Sequence, residues 1–332
     1  MPRPIFYKKP YSDQFTSVWT TLRVFVQLGL IFYFLVPPLW AQTTTGKNPS
    51  GTTSTVRPEP STLVAKGEYL LRAAGGCSCH TDSPNKGKPM AGGRAIHTPF
   101  GTFYSTNITP DKTTGIGTWS EADFVRAMTE GVSPDGSHYF PAFPYTTFSS
   151  ITRPDLSAMW AYLRSIPAVS QPNRPHDVWP PFGWRFPLPI WKWLNFSPGP
   201  FVPDKSQDDR WNRGAYLVNA LGHCAECHSP RNLMGGIKNG RRFSGGEHLS
   251  PEPVIAANLT TDQKTGLASW SETDMVWLMQ TGFRPNGDDV QGVMLELIEQ
   301  GYQHLNQSDL EAIAYYLRTL PPQTGLPPKK GE

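Results

Sequence analysis

The chain has little cysteine, little net charge and no long apolar run, and each shortage removes a class of protein. Four cysteines in 332 residues sit as two tight pairs, Cys77/Cys79 and Cys224/Cys227, whereas a disulfide framework would spread them. The formal net charge is +3. That surplus belongs to residues 1–41, where Arg3, Lys8, Lys9 and Arg23 face only Asp13. The remainder is balanced and offers no basic footprint for nucleic acid. The apolar run at residues 24–36 is 13 residues long and includes one Gln. A bilayer-spanning helix needs about 20, so a multi-spanning membrane protein is not indicated. No alternating strand pattern stands out, and neither does a catalytic acid–base pair or an activated nucleophile.

What is present is proline (34) and tryptophan (11), a short export-type leader and an internal repeat. A basic N-terminal region, the apolar run and Ala41 at a plausible cleavage point describe a signal peptide over 1–41. Extended to Ala41 the run reaches 18 residues, which leaves an uncleaved membrane anchor open. Either reading exports the rest, to the periplasm or to the outer face of the cytoplasmic membrane. Residues 42–62 are Thr/Ser/Pro/Gly-rich and read as a flexible linker. The repeat then begins: Lys66-Gly67-Glu68-Tyr69-Leu70 answers Arg213-Gly214-Ala215-Tyr216-Leu217, and 107–132 matches 258–283 without a gap. Ser120 and Ser271 read as helix N-caps, and Gly131 and Gly282 as stops. Leu156/Met159/Trp160/Leu163 and Leu310/Ile313/Ala314/Leu317 give the terminal helices, 155–166 and 309–320, one apolar face each. The expected fold class is all-α, with two small domains at 63–167 and 210–322 and a tail at 323–332. Between the two lies a Pro/aromatic connector, 168–209, whose prolines exclude a regular spanning helix. It either packs over both domains or exposes an aromatic docking or membrane-surface patch.

Each cysteine pair is followed by histidine. Cys224-Ala225-Glu226-Cys227-His228 is the Cys-x-x-Cys-His attachment pattern for haem c. Two thiols one helical turn apart reach two vinyl groups, and the adjacent imidazole faces the iron. A zinc half-site would need a further partner pair, and a redox disulfide would not explain the histidine. Met294 is the expected sixth ligand, since a thioether there raises the reduction potential. Met234 follows the cysteines too closely to cross to the opposite haem face, and Met275 and Met279 read as core.

The first copy, Cys77-Ser78-Cys79-His80, is one residue short. In a helical turn residues i and i+2 point apart, so Cys79 is the expected anchor and His80 the proximal ligand. Cys77 is attached only if the loop straightens, and is otherwise free. Repeat alignment puts Phe143 where the second copy has Met294. A benzyl group cannot ligate iron. His138 or Met90 would substitute, or the iron is five-coordinate. Loss of the first haem, leaving a structural domain, is the remaining alternative.

The repeat resembles the c-type cytochrome subunits of bacterial membrane-bound alcohol, gluconate and fructose dehydrogenases. The resemblance rests on Gly67 to Leu70, Asn107-Ile108-Thr109-Pro110-Asp111, Gly115 to Ser120, Asp135 to His138, Cys224 to Asn232 and Asn258-Leu259-Thr260, and covers about 63–322. It implies a cytochrome c fold for each domain, two haems c and electron transfer at the outer face of the membrane. The implied partners are a dehydrogenase donor and a cytochrome or oxidase acceptor, with membrane association through the N-terminus. In that family a methionine usually stands at the position of Phe143, and three haem domains are common where this chain has room for two. The cofactor-binding set is therefore Cys77, Cys79, His80, Cys224, Cys227, His228 and Met294, with His80, His228 and Met294 on iron. The alternative function is a small-molecule redox enzyme or ligand sensor at an open first haem, with His138 and Tyr139 as nearby polar groups.

Overall fold

Helix α1 (Leu63–Ala73) begins where Thr62 caps it, the Thr62 hydroxyl accepting from Ala65 N at 3.1 Å. The computed structural model describes residues 62–247 and 255–325. The leader 1–41, the linker apart from Thr62, and residues 326–332 of the tail lie outside these residues. Among the described residues no helix is long and apolar enough to cross a membrane.

The cap signals of the sequence are realised in pairs. Helix α2 (Glu121–Glu130) opens with a Ser120/Asp123 capping box, and helix α7 (Glu272–Thr281) with Ser271/Asp274. Both end on a glycine in the left-handed region, Gly131 at φ +63° and Gly282 at φ +80°, a conformation a Cβ disfavours. Helices α4 (Arg153–Ser165) and α9 (Gln307–Arg318) start two residues earlier than the apolar pattern indicated. They bury the expected Leu156, Met159 and Leu163, and Leu310, Ile313 and Leu317.

Two crossings organise the core. Helix α1 crosses α4 at Gly67, where a Cβ would lie 1.9 Å from Ala158 O. Helix α6 (Asp209–Tyr216), which runs on through a π-type turn at Leu217–Leu221, crosses α9 at Gly214, where a Cβ would lie 2.0 Å from Ala312 O. Only glycine permits backbones so close. The copies then exchange hydrogen bonds. Tyr69 Oη donates to Asp309 Oδ2 and Tyr216 Oη to Asp155 Oδ2, both at 2.6 Å. Each aspartate is also paired with a cation of its own copy, Lys66 at 2.7 Å from Asp155 and Arg213 at 2.6 Å from Asp309. One apolar cluster draws on both copies, with Leu70, Met159, Leu217, Leu221, Ile298 and Leu310 at its centre.

The all-helical expectation misses a small sheet. Strands β1 (Ala95–Thr98) and β2 (Gly101–Tyr104) form a hairpin with Ala95 opposite Tyr104, and β3 (Asp177–Val178) adds antiparallel to β2. Another pair, β4 (Gly246–Glu247) and β5 (Ile255–Ala256), is two residues long on each side. Strands this short carry too few residues to show a period of two. The connector also forms helix α5 (Leu188–Asn195), with Pro189 in its first turn, where a missing N–H costs nothing. Its Leu188 and Trp191 are buried, while Trp179, Phe182, Trp184, Phe186 and Trp193 are more than half exposed. The segment thus packs by one face and presents aromatics on another.

Candidate functional site

The missing residue in the first cysteine motif changes the turn type. In the second copy His228 N donates to Cys224 O at 2.9 Å, an i to i+4 closure, and the left-handed residue is His223 at φ +40°. In the first copy His80 N donates to Cys77 O at 2.8 Å, an i to i+3 closure. The left-handed position moves onto Cys77 itself at φ +56°, preceded by Gly75 and Gly76 at +80° and +70°. A helical turn would send Cys77 and Cys79 to opposite sides. With Cys77 left-handed and a 3₁₀ turn over Ser78–His80, both thiols instead border one cavity.

That cavity measures about 1250 Å³, above the range of about 300–1,000 Å³ usual for small-ligand pockets. Its walls are mostly apolar. Cys77, Cys79 and His80 lie on it, and so does Phe143, whose ring is 5.5 Å from that of Tyr139 and 5.9 Å from that of Phe148. Burial pushes the Cys77 thiol up to about 12 and raises Cys79 as well, so both are neutral thiols. Burial lowers His80, which keeps its imidazole neutral. These residues fit haem c: two thiols and an imidazole lie in one turn against an apolar space large enough for a macrocycle, and Phe143 in the same wall carries no donor atom.

Both histidines are held alike. His80 Nδ1 lies 2.7 Å from Thr106 O, and His228 Nδ1 lies 2.7 Å from Ala257 O. A carbonyl can only accept, so Nδ1 carries the proton and Nε2 keeps the lone pair a metal would need. The carbonyls are placed by the residue after each. Asn107 is buried, its Oδ1 accepting from Thr109 N and Oγ1 at 3.0 and 2.7 Å, its Nδ2 donating to Val169 O at 2.7 Å. Asn258 does the same with Thr260 and Gln323 O.

Other predicted residues are placed differently. Met294 is not in a loop but is the second residue of helix α8 (Val293–Gln300), half-buried against the core. Gly292, at φ +62°, starts that helix early. Neither Met90 nor His138 is on the cavity wall. Met90 packs elsewhere in the core, and His138 Nδ1 lies 2.8 Å from Lys192 Nζ. Lys192 also donates to Glu130 O and Gly131 O at 2.6 and 2.9 Å, and burial lowers it to about 8. Tyr139 does line the cavity. Met234, six residues beyond His228 in sequence, also lines the first cavity, its carbonyl accepting from Trp191 Nε1 at 2.7 Å.

Sequence reasoning missed several wall residues. Met128 and Met159, on α2 and α4, are buried residues that border the cavity. Met128 was signalled by its repeat partner Met279. Glu226, between the second pair of cysteines, borders the first cavity together with His223 and Cys227. Its Oε1 accepts from Thr146 Oγ1 at 3.1 Å and Thr147 Oγ1 at 2.6 Å, and its Oε2 from Arg231 at 2.7 Å. Burial alone would raise Glu226, but Arg231, Thr147 and His223 together bring it below the ordinary carboxylate value. The attachment turn of the second motif is therefore a wall of the first cavity.

No protein-family model matches the chain. Among curated proteins it is 45% identical over 259 residues to a nicotinate dehydrogenase subunit of Pseudomonas putida, covering 78% of this chain and 21% of that protein. It is 40% identical to the gluconate 2-dehydrogenase cytochrome c subunit of Pantoea cypripedii, over 78% of this chain and 59% of that subunit. It is 36% identical to a diheme cytochrome c-type protein of Cereibacter sphaeroides, over 78% of this chain and 86% of that protein. The chain thus spans a fifth of the first relative and somewhat over half of the second.

Proposed function

Because the chain belongs to the family of c-type cytochromes that includes dehydrogenase cytochrome c subunits and a diheme cytochrome c, we propose that it is an exported dihaem electron carrier of two tandem cytochrome c-like domains. It takes electrons from a dehydrogenase or small donor and passes them to a respiratory acceptor, in the periplasm or tethered by its N-terminus to the outer face of the cytoplasmic membrane. Haem c supplies one-electron oxidation and reduction. The chain's part is to hold and tune it. Cys224 and Cys227 anchor the second haem, with His228 proximal and Met294 distal. Cys79 and His80 hold the first, and Cys77 stands beside them. The Nδ1 hydrogen bonds to Thr106 O and Ala257 O fix each ring and increase its basicity as a ligand.

The observation that carries the reading is the matching Nδ1 to carbonyl hydrogen bond of His80 and His228, with Cys227 in the wall of the cavity that holds Cys77 to His80. Two redox centres that share a wall suit transfer between them. Reductive titration of the exported protein, with intact mass and haem staining, tests it. Two haems and two one-electron steps are expected; one haem and one step would reject the dihaem reading. Phe143 in the cavity wall favours a second reading, in which the first haem has an open position and binds or turns over a small molecule. Carbon monoxide binding to the reduced protein tests that: purely low-spin, unreactive haem would reject it.

A further inference from the structure

Helix α8 carries Met294 and packs within its own copy, yet it also touches residues around the first cysteine motif. Val293 and Leu297 lie on the wall of the first cavity. Glu296 forms a bidentate ion pair with Arg94, another wall residue, with Arg94 Nη2 donating to Oε1 at 3.0 Å. Arg72 Nη1 donates to Gln300 O at 2.8 Å. The left-handed glycines ahead of Cys77 touch the same helix. A Cβ on Gly75 would lie 2.4 Å from Leu297 Cδ2, and one on Gly76 would lie 2.3 Å from Gln300 O. The Arg94 and Glu296 side chains are only 12% and 24% exposed, so solvent screens the pair far less than a surface ion pair.

The reverse contact also exists. Helix α3 (Tyr145–Phe148) follows Phe143, and its Thr146 and Thr147 hydroxyls bind Glu226 in the second attachment turn. Phe148 stands edge-on to His223 at 5.4 Å. Each attachment turn is thus clamped to the segment that carries the other copy's sixth-ligand position.

We propose that Arg94 and Glu296 are positioning residues for Met294, so that methionine ligation of the second haem is held in place by the attachment loop of the first. This rests on the reading of Met294 as the distal ligand. The ion pair fixes the first turn of α8, where Met294 lies, against a loop that Gly92 N ties to His80 O at 2.8 Å. Breaking the pair leaves a poorly solvated charge and loosens that turn.

The test follows the sulfur-to-iron charge-transfer band of the oxidised holoprotein while imidazole is added as a competing ligand. That band reports only methionine-ligated haem. Glu296→Gln and Arg94→Met should each let imidazole displace the sulfur at about tenfold lower concentration, a difference of about 1.4 kcal/mol. The double variant should go no further than the singles, because each removes the same pair. Arg94→Lys keeps the charge without the planar fork and should give a smaller shift. Glu272→Gln, which breaks the more exposed pair with Arg210, should leave the titration unchanged. Wild-type titrations in Glu296→Gln and Arg94→Met, with a band that Met294→Ala abolishes, would overturn the clamp alone. A band that survives Met294→Ala would overturn the ligand reading, and the clamp with it.

Discussion

At the residue scale, the first copy lacks one residue between its cysteines and carries Phe143 where the second has Met294, and each change has a local physical consequence. The deletion converts an i to i+4 turn into an i to i+3 turn and makes Cys77 left-handed. Cys79 keeps its place beside His80, so Cys79→Ala should remove covalent haem from the first site and lower the intact mass by one haem. Cys77→Ala should retain it. The substitution puts hydrocarbon where the second copy has sulfur. If the first haem has an open position, as the second reading proposes, Phe143→Met should fill it, lowering carbon monoxide affinity there by about tenfold or more and raising the potential, as thioether ligation does. Carbon monoxide difference spectra and redox titration check both effects. These two departures were legible in the sequence because they stand beside an intact copy. The left-handed backbone was not, since a non-glycine residue gives no local sign that it will adopt positive φ.

At the element scale, the turns that follow Asn107 and Asn258 support the carbonyls that orient the two histidines. Asn107 is 1% exposed, and Asn107→Ala would strand Thr109 N and leave Val169 O only the longer bond from Thr109 Oγ1 at 3.4 Å. A loss of about 2–3 kcal/mol is expected, from buried groups left unsatisfied, measurable in the denaturant midpoint. The turn over Ser133–Ser137 is held by Asp135, which accepts from Ser133 Oγ and from Ser137 N. These bonds, Ser133 first, lower its carboxyl from 3.8 to about 2. A depressed folded-state value means that the turn's contribution is full above pH 3.8 and fades as pH falls through 2. Acid titrations of wild type and Asp135→Asn should therefore differ in stability at pH 5 and converge near pH 2. The capping boxes and glycine stops of α2 and α7 could be read directly, because a cap is a local pattern of hydrogen-bonding side chains. The hairpin β1–β2 and helix α5 could not, being too short for their periodicity to rise above composition.

At the scale of the whole molecule, the two copies are held by a pair of equivalent exchanges, Tyr69 with Asp309 and Tyr216 with Asp155. Tyr69→Phe removes one hydrogen bond to a charged group while leaving Asp309 paired with Arg213. A loss of about 1.5–3 kcal/mol is expected, read by equilibrium unfolding, with haem content unchanged. The one-piece core, with residues of both copies in a single cluster, predicts that this loss moves the unfolding of the whole described region together.

The sequence by itself determined the two Cys–His motifs, the repeat, the caps and stops of α2 and α7, and the anomaly at Cys77 to His80 and Phe143. All of these are set by residues close along the chain or by comparison of one copy with the other. The tertiary structure alone decided how the copies share walls. Arg94 and Glu296 are 202 residues apart, and Thr147 and Glu226 are 79 apart. Ion pairs and hydrogen bonds have no period and no fixed spacing, so nothing in the order of residues announces them. The same holds for Met90 and His138, which looked available as ligands until packing placed one in the core and the other against Lys192.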